Sequence, residues 1–262
     1  MNSLKQRLGK RLSLYLSEPG HTAGTAEPTR TDLLALILQP ADVLLVEGTS
    51  RVSSAIKYLT QSTWSHAALY VGKSATGEGQ FLEADMVHGV RLVPLAHFNG
   101  FHCRVCRPAS LSEAERQAVC DFATARLGLH YDMKNIFDLV RYLLPNPPVP
   151  MRWRRQMLSL GSGDPTRAIC STLVAQAFQS VRYPILPTVE TLPALDLLGK
   201  PHLNSSRQLL HSRHHSLYVP RDFDVSPYFQ IIKPTIEVGF DHHLLAWATG
   251  TNGEPDLPSN SL

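Results

Sequence analysis

Apolar and polar positions change rhythm several times along the chain, and each change marks an element. Asp42 to Val46 is a short apolar run with β-branched content, the pattern of a buried strand. From Ser50 to Leu59 the apolar Val52, Ala55, Ile56 and Leu59 recur at helical spacing. Trp64 to Val71 then alternates with period two, which sets His66, Ala68 and Tyr70 on one face and Ser65, Ala67, Leu69 and Val71 on the other. The turn-rich Gly72 to Gly79 leads into a return strand, Gln80 to Asp85, and Gly89 to Leu95 reads as a further one. Together these predict an antiparallel meander. Cys103 to Pro108 alternates in the same way. Ser110 and Glu113 have capping-box spacing ahead of a helix reaching Leu127, with Ala118, Val119, Phe122 and Ala125 on one face and Gly128 past its end. A second helix is expected from about Asp132 or Asn135 to Leu144, stopped by Pro145. Cys170 to Ser180 again has helical spacing, with Leu173, Val174, Ala177 and Phe178 inward.

The flanks read differently. Met1 to Leu16 carries Leu4, Leu8, Leu12 and Leu16 on one stripe with Lys5, Arg7, Lys10 and Arg11 around it. Such a stripe favours a helix packed on the domain with a solvated basic flank; its alternative is peripheral contact with an anionic membrane surface. His21 to Thr31 has the composition of a linker. Four prolines between Pro145 and Pro150 interrupt regular structure, and the basic Arg152, Arg154 and Arg155 around Trp153 are expected in an exposed loop. Val181 to Pro234 holds seven prolines and little periodicity, so it is expected to wrap around the domain. The chain therefore divides into an N-terminal segment and linker (1–30), one main domain (31–240) and a C-terminal tail (241–262).

Composition narrows the class. With 262 residues, 43% hydrophobic and 18% charged, the chain can bury a sizeable core. A net charge of +3 with interleaved signs argues against nucleic acid as a partner. Four unevenly spaced cysteines, Cys103, Cys106, Cys120 and Cys170, suit reduced thiols better than a disulfide framework, with an oxidised Cys103–Cys106 pair as the alternative. No run approaches the roughly 20 apolar residues of a membrane span, and the N-terminus lacks a signal-like apolar core. A cytoplasmic protein, peripheral to a membrane if the N-terminal stripe binds one, is the expectation.

Two segments carry chemistry. His66 stands on a strand beside the small Ala68, and Cys170 stands where Gly161-Ser162-Gly163-Asp164-Pro165 leads toward an apolar-faced helix. A thiol at a helix start meets free N–H groups and the positive end of the helix dipole, which favour the thiolate and would hold an oxyanion. Alone, a strand histidine or a cysteine before an apolar helix is more often a core residue. Glu83 shifts that balance, because a carboxylate inside the apolar Phe81-Leu82-Glu83-Ala84 run needs a partner, and a hairpin closed by Gly72 to Gly79 sets it close to opposite His66. Asp85 shares its parity and is the fallback.

Four strings in order carry a resemblance: Ser65-His66-Ala67-Ala68-Leu69-Tyr70-Val71-Gly72, Leu82-Glu83-Ala84 with Gly89-Val90 and Pro94-Leu95, Leu127-Gly128-Leu129-His130-Tyr131-Asp132, and Cys170-Ser171-Thr172-Leu173-Val174. The chain resembles the circularly permuted papain-like amidases of the NlpC/P60 superfamily, YaeF/YiiX type, from about Ala41 to Phe178 and on to Pro220-Arg221-Asp222-Phe223 and Ser226-Pro227. The resemblance implies Cys170 as nucleophile, His66 as general base and then acid, Glu83 as the residue orienting His66, and Tyr131 as a group near the nucleophile that polarises the carbonyl. The chain departs from the pattern in two places: Ala41-Asp42 stands where the family has Gly-Asp, and the Pro145 to Arg155 insertion is long.

His102-Cys103-x-x-Cys106 is half a zinc pattern with no second pair at matching spacing, and reads as strand. The expectation is an α+β, permuted papain-like domain, with helices packed on a small antiparallel sheet or partial barrel. Its expected activity is that of a cysteine hydrolase acting on a small amide, peptide-like or acylated substrate without metal or cofactor. A lipid acyltransferase or phospholipase of related fold is the enzymatic alternative, and a binding module that retains the fold is the non-enzymatic one.

Overall fold

The computed structural model describes residues 26–85, 88–129, 169–195, 201–241, 243, 247–249 and 254–256. The expected strands are present as β1 (Val43–Val46), β2 (His66–Lys73), β3 (Gly79–Asp85), β4 (Gly89–Pro94) and β5 (Cys103–Pro108). Beyond them come β6 (Thr188–Leu195), β7 (Pro201–His211) and β8 (Phe229–Ile232). Six of these form one antiparallel sheet in the order β4-β3-β2-β1-β5-β8. The architecture is α+β.

Both faces of the sheet are covered, which is why the central β1 is apolar at every position. On one face Val43, Leu45, Ala67, Leu69, Leu82 and Ala84 pack with residues of α3 (Glu113–Thr124) and α4 (Ile169–Ser180). On the other, Leu44, Val46, Ala68, Tyr70, Phe81 and Val93 meet Leu34 of α1 (Thr31–Ile37) and Phe98. Between β1 and β2, α2 (Arg51–Thr60) is capped by Ser50, whose hydroxyl accepts from the Ser53 N–H at 3.2 Å.

Three expectations need correction. The capping box of α3 is Ser112 with Glu115, not Ser110 with Glu113. Both pairs have the required spacing, but an N-cap needs extended backbone, which Ser112 has, while Ser110 has a positive φ of 60°. The buried face is accordingly Val119, Cys120 and Ala123, with Ala118 and Ala125 exposed. Secondly, the domain opens with helix α1 from Thr31, an element that the pattern of positions did not single out. Thirdly, the proline-rich stretch after Val181 contains the β6–β7 ribbon and supplies β8 as the sixth strand, with Val105 paired to Ile232. Its Tyr218, Phe223 and Phe229 enter the main core. The expected helix from 132 or 135 to 144, the insertion from 145 to 165 and the stripe from 1 to 16 lie outside the described residues.

Ala41 sits at a strained turn just ahead of β1. It is fully buried and holds a φ of 69°, a conformation that favours glycine. That turn sends its N–H to the Tyr70 carbonyl at 2.9 Å and aims the next side chain, Asp42, at the Arg107 guanidinium, which grips it at 2.9 and 2.8 Å. Ala41→Gly should therefore leave the thermal midpoint nearly unchanged, because relief of about 1 kcal/mol of backbone strain offsets about 0.8 kcal/mol of lost methyl burial. Ala41→Val, adding a branch at a strained and filled position, should cost about 2 kcal/mol or more. Equal losses for both variants in a denaturation series would contradict this account.

Candidate functional site

His66 opens β2 and lies between β1, where it pairs with Val46, and β3. Its Nε2 is 2.8 Å from Oε2 of Glu83. The route to that contact differs from the expected one. A bulge between Tyr70 and Gly72 shifts the β2–β3 register by one residue, with Gly72 at φ 105°. Extending the Leu69 to Leu82 register puts Glu83 beside Ala68 and Asp85 beside His66, so Glu83 reaches the histidine diagonally rather than from opposite it. The small Ala68 leaves that diagonal open. Asp85 turns away to the His88 ring at 2.8 Å and its N–H at 2.7 Å. A one-residue slip reverses faces along a strand, so the bulge decides that Glu83 and His66 share one.

Cys170 occupies the first turn of α4. The burial of Leu173, Val174, Ala177 and Phe178 against Ala67 and Leu69 carries that turn to the start of β2. There the sulfur interacts with the His66 ring and accepts from the N–H groups of Ala67 and Ser171. With Nε2 committed to Glu83, Nδ1 is the ring nitrogen left for the thiol. Ser171 is structural, its hydroxyl donating to the Tyr218 carbonyl at 2.8 Å.

The electrostatics follow from this contact. Burial alone would push the His66 pKa down, but attraction and hydrogen bonding to the Cys170 thiolate, and then to Glu83, raise it well above the ordinary histidine value. Burial opposes ionisation of Cys170 too, yet the His66 imidazolium and the Ala67 and Ser171 N–H groups bring its pKa below the ordinary thiol value. The other three thiols have only burial as their main influence: it pushes Cys103 up to about 12 and Cys120 up to about 11, and raises Cys106 further. All four cysteines are free. Cys103 and Cys106 point into opposite cores of the sheet, so they form neither a disulfide nor a chelating pair.

Arg91 is the participant that alternation alone did not single out. It pairs with Glu83 across the β3–β4 ladder and places Nε at 3.0 Å and Nη2 at 2.8 Å from Oε1. The available signal was an arginine one residue after Val90 in a strand that returns alongside a buried glutamate. Glu83 is 3% exposed; burial would raise its pKa, but His66 and Arg91 hold it down at about 2. Tyr131 lies outside the described residues. Trp64 lines a cleft of about 810 Å³ together with Lys57, Arg104 and Arg221, and none of His66, Glu83 or Cys170 lines it. Among the described residues no group of three or more His, Cys, Asp or Glu gathers as a metal site, and no helix is long and apolar enough to cross a membrane.

Residues 38–142 match a family described as permuted papain-like amidase enzymes, YaeF/YiiX, C92 family. This segment, about two fifths of the chain, is similar to the permuted papain-like amidases. The match includes His66, Glu83, Arg91 and Tyr131 and ends before Cys170. Among solved structures the chain is similar to one titled the metalloprotein yiiX from Escherichia coli O157:H7. The identity is 19%, the similarity covers 74% of this chain and 96% of that one, and the TM-score is 0.43. No curated protein matches the chain.

The depressed Glu83 pKa makes a stability prediction. Its contribution is complete above the ordinary value of 4.5 and is lost as pH falls through the folded value of about 2. Urea unfolding should show the wild type losing about 3 kcal/mol more than Glu83→Gln between pH 6 and pH 2. Parallel pH curves for the two proteins would show that the buried carboxylate is not held ionised.

Proposed function

We propose that the protein is a cysteine amidase whose nucleophile is Cys170. The observation that supports this most is the His66 ring held between the Glu83 carboxylate on one side and the Cys170 thiol on the other. In this reading the proton has already left the thiol and resides on the imidazole at neutral pH. The thiolate attacks the substrate carbonyl, and N–H groups at the start of α4 take up the developing oxyanion. His66, as acid, protonates the departing amine; neutral His66 then accepts a proton from water, whose oxygen displaces sulfur and releases the acid. Glu83 keeps the ring oriented and stabilises its charged form. Tyr131 is assigned to carbonyl polarisation through the family resemblance. A small amide, peptide-like or acylated molecule is the substrate class this chemistry suits.

Alkylation with iodoacetamide tests the assignment. At pH 6 Cys170 should react first, while Cys103, Cys106 and Cys120 stay protonated and unmodified, and His66→Ala should slow Cys170 at least about tenfold. Mass spectrometry of the digested protein reads both results. Equal labelling of the four thiols, or indifference to the histidine, would remove Cys170 from the role.

A further inference from the structure

Glu83 is a buried carboxylate on a side chain with three rotatable bonds, and it meets His66 by a diagonal reach that strand pairing alone does not impose. Something must choose which way its carboxylate faces. Resting on the reading of Cys170 and His66 above, we propose that Arg91 is a positioning residue: by gripping Oε1 of Glu83 it keeps Oε2 on His66 and so holds the ring that faces Cys170.

The geometry supports this in three ways. Arg91 is the ladder partner of Glu83, so the backbone brings the two side chains together whatever happens at His66. Arg91 donates through Nε to Oε1 at 3.0 Å and brings Nη2 to 2.8 Å from the same oxygen as an ion pair, which leaves Oε2 to Nε2 at 2.8 Å. An arginine fork is directional in a way that a point charge is not. Among the described residues, the charged and titratable groups around the carboxylate are few. His66 faces it from β2, Arg91 from β4, and His97 from the turn Leu95–Phe98 at 3.7 Å from Oε1, too far for a hydrogen bond. Cys170 meets the His66 ring from α4. The neighbouring Asp85 is engaged with His88. Among the described residues, Arg91 is therefore the one group besides His66 itself that both neutralises and hydrogen-bonds Glu83.

The effect on the site has a definite sign. Without Arg91 the carboxylate swings among rotamers, His66 loses its fixed partner, and a cation that favours the thiolate is gone. Both changes leave Cys170 less ionised at low pH.

The experiment is the pH dependence of Cys170 alkylation in the full chain, with thermal midpoints measured alongside, for wild type, Arg91→Met, Arg91→Lys and His97→Gln. For Arg91→Met the midpoint of reactivity should move to higher pH, with the rate at pH 5 falling about tenfold. Arg91→Lys, which keeps the charge but not the fork, should fall between it and the wild type, and His97→Gln should follow the wild-type curve. A lower thermal midpoint with an unchanged profile in Arg91→Met would overturn the inference and leave Arg91 a structural ion pair. If Arg91→Met does not fold, a wild-type profile in Arg91→Lys overturns it equally. An equal shift in His97→Gln would also overturn it, by showing that any cation near Oε1 suffices. A wild-type Cys170 that reacts as an ordinary thiol would instead strike down the nucleophile assignment, and this inference with it.

Discussion

A carboxylate with almost no exposure to water sits at the centre of this structure, and its charge must be met by neighbours on both sides. Removing a carboxylate from water costs several kcal/mol even after relaxation, and a single misplaced partner leaves that cost uncompensated. Glu83 meets it with His66 through one oxygen and Arg91 through the other. The arrangement passes charge along a line. Arg91 offsets Glu83, Glu83 favours a positive His66, and a positive His66 favours a negative Cys170. Because each member is ionised in the company of the next, the chain of charges stands or falls as a unit.

The fold is arranged so that these groups meet. Three successive antiparallel strands carry His66, Glu83 and Arg91, so two hairpins suffice to gather them. The bulge after Tyr70 corrects the parity between the first two, and Ala68 leaves room for the diagonal contact. The cysteine arrives from far along the chain on α4, held against the sheet by an apolar face that includes Leu173, Val174 and Phe178. Rigid elements thus position every described member of the group, which is how a thiol and an imidazole are held close without relying on loops.

Much of this was legible in the chain itself. An apolar run located β1, and alternation or runs bounded by turns located β2 to β5, within a residue or two. His66, Glu83 and Cys170, which the structure brings together, could be singled out because charged or reactive residues interrupt runs that are otherwise apolar. Register was less legible. A one-residue bulge leaves little mark on composition, so Glu83 was expected opposite His66 and instead stands diagonal to it. The helix start at Ser112 was obscured because Ser110 with Glu113 and Ser112 with Glu115 have identical spacing, and only backbone conformation separates them. Strand β8 was hidden by its length of four residues and by the prolines before it. Arg91 was overlooked because an arginine in a strand announces a partner only once the register of that strand is known.

The central claim is that His66 is an imidazolium at neutral pH because a thiolate and a carboxylate flank it. Nuclear magnetic resonance of the isotopically labelled imidazole, titrated in the intact protein, tests this most directly. The account predicts that the His66 ring stays protonated well above the pH at which an ordinary histidine loses its proton, with Nε2 hydrogen-bonded, and that Cys170→Ala brings its titration back to lower pH. A His66 that titrates like a free histidine in the wild type, or one that is unmoved by loss of the thiol, would contradict it.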